Sequence, residues 1–275
     1  MRLADVGERG LLDELERRGL ARRIEDDAAQ LGDGLVVTQD ALVEGVHFLS
    51  ERISRRDLGF RAAAVNISDL AASGARPEAL VVTLGAPSET ALEEVIELYE
   101  GIAEAGVPVV GGDTTRAGKL FLSVTALGRS ERVPGRGGAR PGDRLVVTGA
   151  LGAAGAAFRE DGFVRPPLRV EEGVLLARTA TAMLDVSDGL AVDAAHLANR
   201  SGCCVEIELE RVPLADGATV ADLGFGEDYE LLAAVRGGTE APFAEIGRCV
   251  EGEGVAFTLD DEPYDLRGWD HYAAP

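Results

Sequence analysis

Aspartates recur at the ends of apolar, β-branched runs in this chain. Three segments carry them: Leu35-Val36-Val37-Thr38-Gln39-Asp40, Val109-Val110-Gly111-Gly112-Asp113-Thr114-Thr115 and Ala182-Met183-Leu184-Asp185-Val186-Ser187-Asp188. Each apolar run reads as a buried strand. The double glycine in the second lets the backbone turn and approach a ligand closely. The acids then fall at the carboxyl ends of strands, where open α/β sheets bind ligands. The pair Asp26-Asp27 joins them, as does Asp69, which shares a helix face with Asn66 three residues earlier. Taken singly, each is also an ordinary strand-to-turn junction or a solvated acid. Taken together they pose an electrostatic problem, because converging carboxylates raise one another's pKa until some are neutral. Magnesium solves it, since it takes hard oxygen ligands and bridges carboxylates to substrate phosphates. Phosphoryl transfer needs such positioning and charge neutralisation more than covalent chemistry. Arg136, between Gly135 and Gly137, is placed to reach a phosphate, or is a plain linker arginine. Residue chemistry thus points to a nucleotide-using enzyme. It leaves open a non-catalytic, acidic nucleotide- or metal-binding protein.

Composition narrows the classes. A chain of 275 residues holds one large domain or two modest ones, and either can bury a core. The formal charge of −21 argues against nucleic acid, whose phosphates demand a basic face. Cys203, Cys204 and Cys249 are odd in number and lack metal spacing, so they read as reduced thiols of a cytoplasmic protein. The start, Met1-Arg2-Leu3-Ala4-Asp5, shows no leader, and no apolar run approaches the roughly 20 residues of a membrane span. The sole lysine, Lys119, stands in Gly118-Lys119-Leu120, which excludes a P-loop.

The elements that must position these acids alternate between strand and helix. A short amphipathic helix spans residues 10–23, and Val43 to Phe48 reads as an extended piece after the strand at 35–39. The alanine-rich stretch from Arg56 to Ser73 predicts a helix. A capping box from Thr90 to Glu93 precedes a helical stripe of Leu92, Val95, Ile96, Tyr99, Ile102 and Ala103, which predicts core packing for Tyr99. Ser187 predicts an N-cap for a helix over 188–199. Residues 130–143, rich in Gly, Arg and Pro, mark the boundary between two α/β units, 1–140 and 141–275. His47 reads by itself as a half-buried histidine.

The motifs as a set resemble the thiamine-monophosphate kinase family of the aminoimidazole ribonucleotide synthetase-like superfamily. They are Asp26-Asp27-Ala28-Ala29, Asp40 to Phe48, Ala64 to Ala72, Gly111 to Arg116, Asp185 to Leu190, Gly226 to Leu231 and Trp269-Asp270-His271-Tyr272. They run in order over nearly the whole chain. The resemblance implies a two-domain α/β (α+β) fold with mixed sheets covered by helices. It also implies a homodimer through the N-terminal domains, and Mg²⁺-assisted transfer of the γ-phosphoryl of ATP to thiamine monophosphate. Other synthetases of the superfamily, which activate an amide or carbamoyl group, are the alternative. Position by position, it implies that Asp27, Thr38, Gln39, Asp40, Asp69, Asp113, Asp185 and Asp188 hold Mg²⁺, with Asp27, Asp40, Asp113 and Asp185 central to catalysis. It implies ATP contacts for Tyr99, Gly112, Asp113, Arg136 and Ser187, and a thiamine phosphate pocket of His47, Glu227 and Trp269. The chain departs from the family pattern at Glu25, Gln39, Ala41 and Phe225, in a shorter helix before Val107, and in a short segment between Pro213 and Gly224.

Overall fold

The computed structural model describes residues 2–22 and 26–268. Helix α1 (Leu3–Arg17) leads into β1 (Ala29–Gln30) and β2 (Leu35–Val43), followed by helix α2 (Arg55–Ala72). Then come β3 (Arg76–Ala86), α3 (Leu92–Glu104), β4 (Val109–Arg116) and β5 (Phe121–Arg129). These strands form one sheet in the order β1-β2-β5-β3-β4. The rest of the chain gives β6 (Arg144–Val147), α4 (Ala153–Arg159), α5 (Val170–Ala177), β7 (Ala180–Asp185) and α6 (Leu190–Ser201). It continues through β8 (Cys204–Glu208), β9 (Leu231–Val235), β10 (Ala244–Val250), β11 (Gly254–Leu259) and β12 (Glu262–Pro263). The second sheet runs β12-β11-β8-β10-β6-β9-β7. Both sheets are mixed: β3 with β4, and β8 with β11, are parallel pairs among antiparallel ones. No helix of the described residues is long and apolar enough to cross a membrane.

Helix α2 organises the molecule. It starts at Ser54, whose hydroxyl accepts the Asp57 N–H at 3.0 Å. Of its 18 residues, 14 are buried, which a helix tolerates only when protein covers it all round. It packs on β2, β3 and β5 of the first sheet and on β7 and β9 of the second, with α3 and α5 beside it. The run Ala62-Ala63-Ala64 keeps its surface thin enough for this. Leu58, Ile67 and Leu70 are fully buried, each contributing roughly 1.5–3 kcal/mol. Against α3 the backbones nearly touch: a Cβ on Gly59 would lie 1.9 Å from the Leu98 carbonyl oxygen, and one on Gly101 1.8 Å from that of Arg56. Polar side chains on α2 are therefore held where both sheets converge.

Several local expectations need correction. The strands are longer than their apolar runs, so Asp40 and Asp113 lie within β2 and β4 and not at their ends. Gly111 and Gly112 continue β4 instead of turning it. Their role is close approach, since a Cβ on Gly112 would fall 1.9 Å from the Val82 carbonyl oxygen on β3. The piece after β2 is a turn, in which the His47 N–H donates to the Val43 carbonyl at 2.9 Å. Helix α3 starts after Ala91 with no side-chain cap, and Leu92 and Ile96 of the predicted stripe are exposed, while Leu98 and Ile102 are buried. Helix α6 begins at Leu190 with Gly189 as its N-cap, so Ser187 is not the cap.

Candidate active site

The acids predicted from separate segments meet beside α2. Asp27 comes from the loop before β1, Asp69 from the last turn of α2 and Asp185 from the end of β7. One carboxylate oxygen of each lies within 4.8 Å of the others. Thr38 on β2 donates its hydroxyl to Asp69 Oδ2 at 2.5 Å and to the Asp27 carbonyl at 3.2 Å. Asp40, two residues along the same strand, donates its N–H to Asn66 Oδ1 at 3.0 Å. Asp69, Asp188 and Asp27 are the charged neighbours of its carboxyl. Arg136 closes one side. Its Nε and Nη2 donate to Asp27 Oδ1 at 2.8 and 2.5 Å, so it is no exposed linker arginine.

Two buried groups that the sequence reading did not single out hold this arrangement. The Ser68 hydroxyl, one residue before Asp69, donates to Asp185 Oδ2 at 2.6 Å. Asp193, in the first turn of α6 and only 2% exposed, accepts the Asp188 N–H at 3.0 Å. Helical spacing places Asp193 on the face toward Leu190, a weak cue lost among apolar neighbours.

The electrostatics are those of a crowded anion site. Burial raises the Asp27 carboxyl despite the Arg136 guanidinium against it. Burial and the charges of Asp185, Asp40 and Asp27 raise Asp69 well above the ordinary carboxylate range. Burial, then Asp27, pushes Asp185 up to about 7, against the opposing bond from Ser68. Left to themselves, these surroundings disfavour the ionised form of all three carboxyls. A set of carboxylate oxygens from four elements, with one hydroxyl, fits a hard divalent cation, whose charge would hold them ionised.

Other predicted residues fall into two further groups. At the far edge of the first sheet, Tyr99 on α3 and Gly112 and Asp113 on β4 line an open cavity of about 330 Å³. Asp40 is in register with Val124, Val124 with Val82, and Val82 with Gly112. That makes three strand spacings, roughly 14 Å, between the Asp40 and Gly112 backbones. A single chain therefore does not bring Asp113 to the acid cluster. Gln39 is also turned elsewhere, hydrogen-bonded across β2 and β5 to Ser123 and Thr125.

The third group joins His47 to Glu227. Both are held by Arg61 of α2, through the His47 carbonyl at 2.8 Å and Glu227 Oε1 at 2.5 Å. The Glu227 N–H donates to the Ser187 carbonyl at 2.8 Å, and the Tyr229 N–H to the Val186 carbonyl at 2.9 Å. The loop bearing Glu227 is thus bonded to the loop bearing Asp185 and Asp188. Glu227 (φ 60°) and Tyr229 (φ 52°) both adopt the left-handed region, at a cost of about 1–2 kcal/mol each, the kind of strain found at functional loops. Trp269 and Glu25 lie outside the described residues.

Residues 25–130 match the family model described as AIR synthase related protein, N-terminal domain. This gives the chain an N-terminal domain of the AIR-synthase-related class. The fold, but no more, is shared with HypE of E. coli, at 24% identity and a TM-score of 0.69. Thiamine-monophosphate kinase of Aquifex aeolicus is 34% identical over 99% of this chain and 100% of its own length. The Escherichia coli K12 enzyme of that name is also 34% identical, over 92% of each. A solved structure described as "AaThiL complexed with AMPPCP and TMP" superposes with a TM-score of 0.90 at 34% identity, covering 98% of this chain and 99% of the other. The chain belongs to the thiamine-monophosphate kinase family.

Proposed function

We propose that this protein transfers the γ-phosphoryl group of ATP directly to the phosphate of thiamine monophosphate, giving thiamine diphosphate and ADP. The observation that carries the reading is the convergence of Asp27, Asp69 and Asp185, with Thr38 and Arg136, in a chain of this family. The acceptor is itself a phosphate, whose second pKa near ~6 leaves it largely ionised at neutral pH. It is a nucleophile without losing a proton. A cluster of acids and one arginine suits that chemistry. What such a reaction needs is an in-line approach of two anions that otherwise repel.

In this reading Asp27, Asp40, Asp69, Asp185 and Asp188, with Thr38, hold Mg²⁺. When bound, Mg²⁺ supplies the positive charge that neutralises the phosphate oxygens. Ser68 and Asp193 hold Asp185 and the Asp188 backbone in place. Arg136 offers a planar guanidinium to a phosphate at the same spot. His47 and Glu227 face the acceptor. With Trp269 they suit a cationic thiazolium ring, through an acid and an aromatic face. Gln39 joins the metal set only through its carbonyl, because its side-chain amide is engaged with β5.

In this reading Tyr99, Gly112 and Asp113 complete the ATP site, and their distance from Asp40 supports their supply by a second copy in a homodimer. The first sheet supports this. Helices cover one of its faces, while Val37, Val81, Phe121 and Leu127 are only half-buried on the other, and β4 is an exposed edge. A self-complementary contact there is the usual form of a dimer. We read the two sheets as two domains meeting near residue 140. The free cysteines support a cytoplasmic location.

The test is a coupled assay of ADP release with ATP, Mg²⁺ and thiamine monophosphate, with thiamine diphosphate identified as the product. Dependence of ADP release on this acceptor is expected. Turnover only with amide or carbamoyl acceptors, or nucleotide binding with no product, would overturn the reading.

A further inference from the structure

We propose that Arg61 is the positioning residue of the acceptor pocket, fixing its two walls relative to one another; this rests on the kinase reading above. The side chain of Arg61 is 5% exposed, in the otherwise apolar stretch Leu58-Gly59-Phe60-Arg61-Ala62-Ala63-Ala64 of α2. Nothing in the packing of that helix calls for a charge. An arginine is costly to bury unless its partners repay the lost hydration. Its partners are informative. Nη1 donates to the His47 carbonyl at 2.8 Å, 14 residues away in sequence, and Nη2 to Glu227 Oε1 at 2.5 Å, 166 residues away. Among the described residues the buried Nε has no hydrogen-bond partner, so the hydrogen bonds of the guanidinium all go to these two groups.

The two groups it grips are the two acceptor-facing residues, one following β2 in the first sheet, the other in the loop before β9 of the second. Glu227 is also on left-handed backbone, a costly conformation that persists only where its surroundings hold it. A planar fork on the central helix sets the gap between them and holds the Glu227 carboxylate in one orientation. Lysine, a single point charge on a flexible stem, cannot hold two acceptors in one plane in this way. The hydrogen bonds of Arg61 go to the two pocket walls and not to the acid cluster. Its effect is on acceptor binding, with ATP binding at the acid cluster left as it was.

The experiment uses the full chain as wild type, Arg61→Lys and Arg61→Met. Initial rates are measured against thiamine monophosphate at saturating ATP, and against ATP at saturating acceptor, with thermal unfolding followed in parallel. Arg61→Met is expected to raise the acceptor KM by roughly 10–100-fold, the usual cost of losing a group that orients a ligand's partners, while the ATP KM stays unchanged. Arg61→Lys should fall between the two. An unchanged acceptor KM overturns the proposal, and so does a parallel rise in both constants, which a merely structural role would give. If Arg61→Met does not fold, Arg61→Lys decides: a selective rise in its acceptor KM sustains the proposal and an unchanged value overturns it. Absence of turnover in the wild type overturns the kinase reading and this proposal together. Wild-type turnover with an indifferent Arg61 overturns this proposal alone.

Discussion

Asp185 shows how a single carboxyl links charge, metal and stability. Burial and the neighbouring Asp27 push it up to about 7, whereas an aspartate in an unfolded chain titrates near ~3.9. Between those values the folded state holds a proton that the unfolded state has lost. Its contribution is thus fully present below the unfolded value and disappears as pH rises through about 7. Metal binding works the other way, since it takes the ionised form and releases the proton, so affinity climbs with pH over the same window. We therefore expect the melting temperature in chelator to fall between about pH 4 and about pH 7, and Mg²⁺ to abolish most of that fall. Identical pH profiles with and without Mg²⁺ would separate these acids from any metal.

At the scale of elements, the α2–α3 contact is the most constrained packing near the site. Gly59 and Gly101 each lie where a Cβ would sit under 2 Å from a carbonyl oxygen of the facing helix. Gly59→Ala gains helix propensity but must push the helices apart. A destabilisation of about 1–3 kcal/mol or more is expected, read from the denaturant midpoint. Because α2 carries Arg61, Asn66, Ser68 and Asp69, the displacement should also weaken Mg²⁺ binding; a variant as stable as wild type would refute the close approach. Much of this element was legible in advance. The alanine-rich stretch predicts a helix, and Asn66 and Asp69 share a face by spacing alone; that protein covers the helix all round was not legible. The glycine contact was not legible, because it depends on which helix lies across from α2.

At the scale of the whole molecule, the two groups of residues proposed to form one nucleotide site lie about 14 Å apart across a sheet. The proposed homodimer would join them and makes a sharp prediction. Asp113→Asn and Asp185→Asn should each abolish thiamine diphosphate formation while leaving the fold intact. Mixing the two inactive proteins and letting subunits exchange should restore turnover, since one site of the mixed dimer then carries neither substitution. No recovery after verified exchange would return Asp113 and Asp185 to the same chain. Analytical ultracentrifugation supplies the accompanying measurement, and a monomer at assay concentration would contradict the composite site.

The sequence by itself determined the local elements and the chemical character of the site. Strand and helix periodicity, and the oxygen-only donor set of Asp27, Asp40, Asp69 and Asp185, depend on residue type and near neighbours along the chain. Tertiary structure alone decided which of these acids share a space. Strand order sends Asp113 to one sheet edge and Asp40 toward the other, and the crossing of α2 beneath both sheets brings Ser68 to Asp185 and Arg61 to Glu227. Those pairings join residues more than a hundred positions apart, and their distance is set by register and packing, which no local pattern encodes.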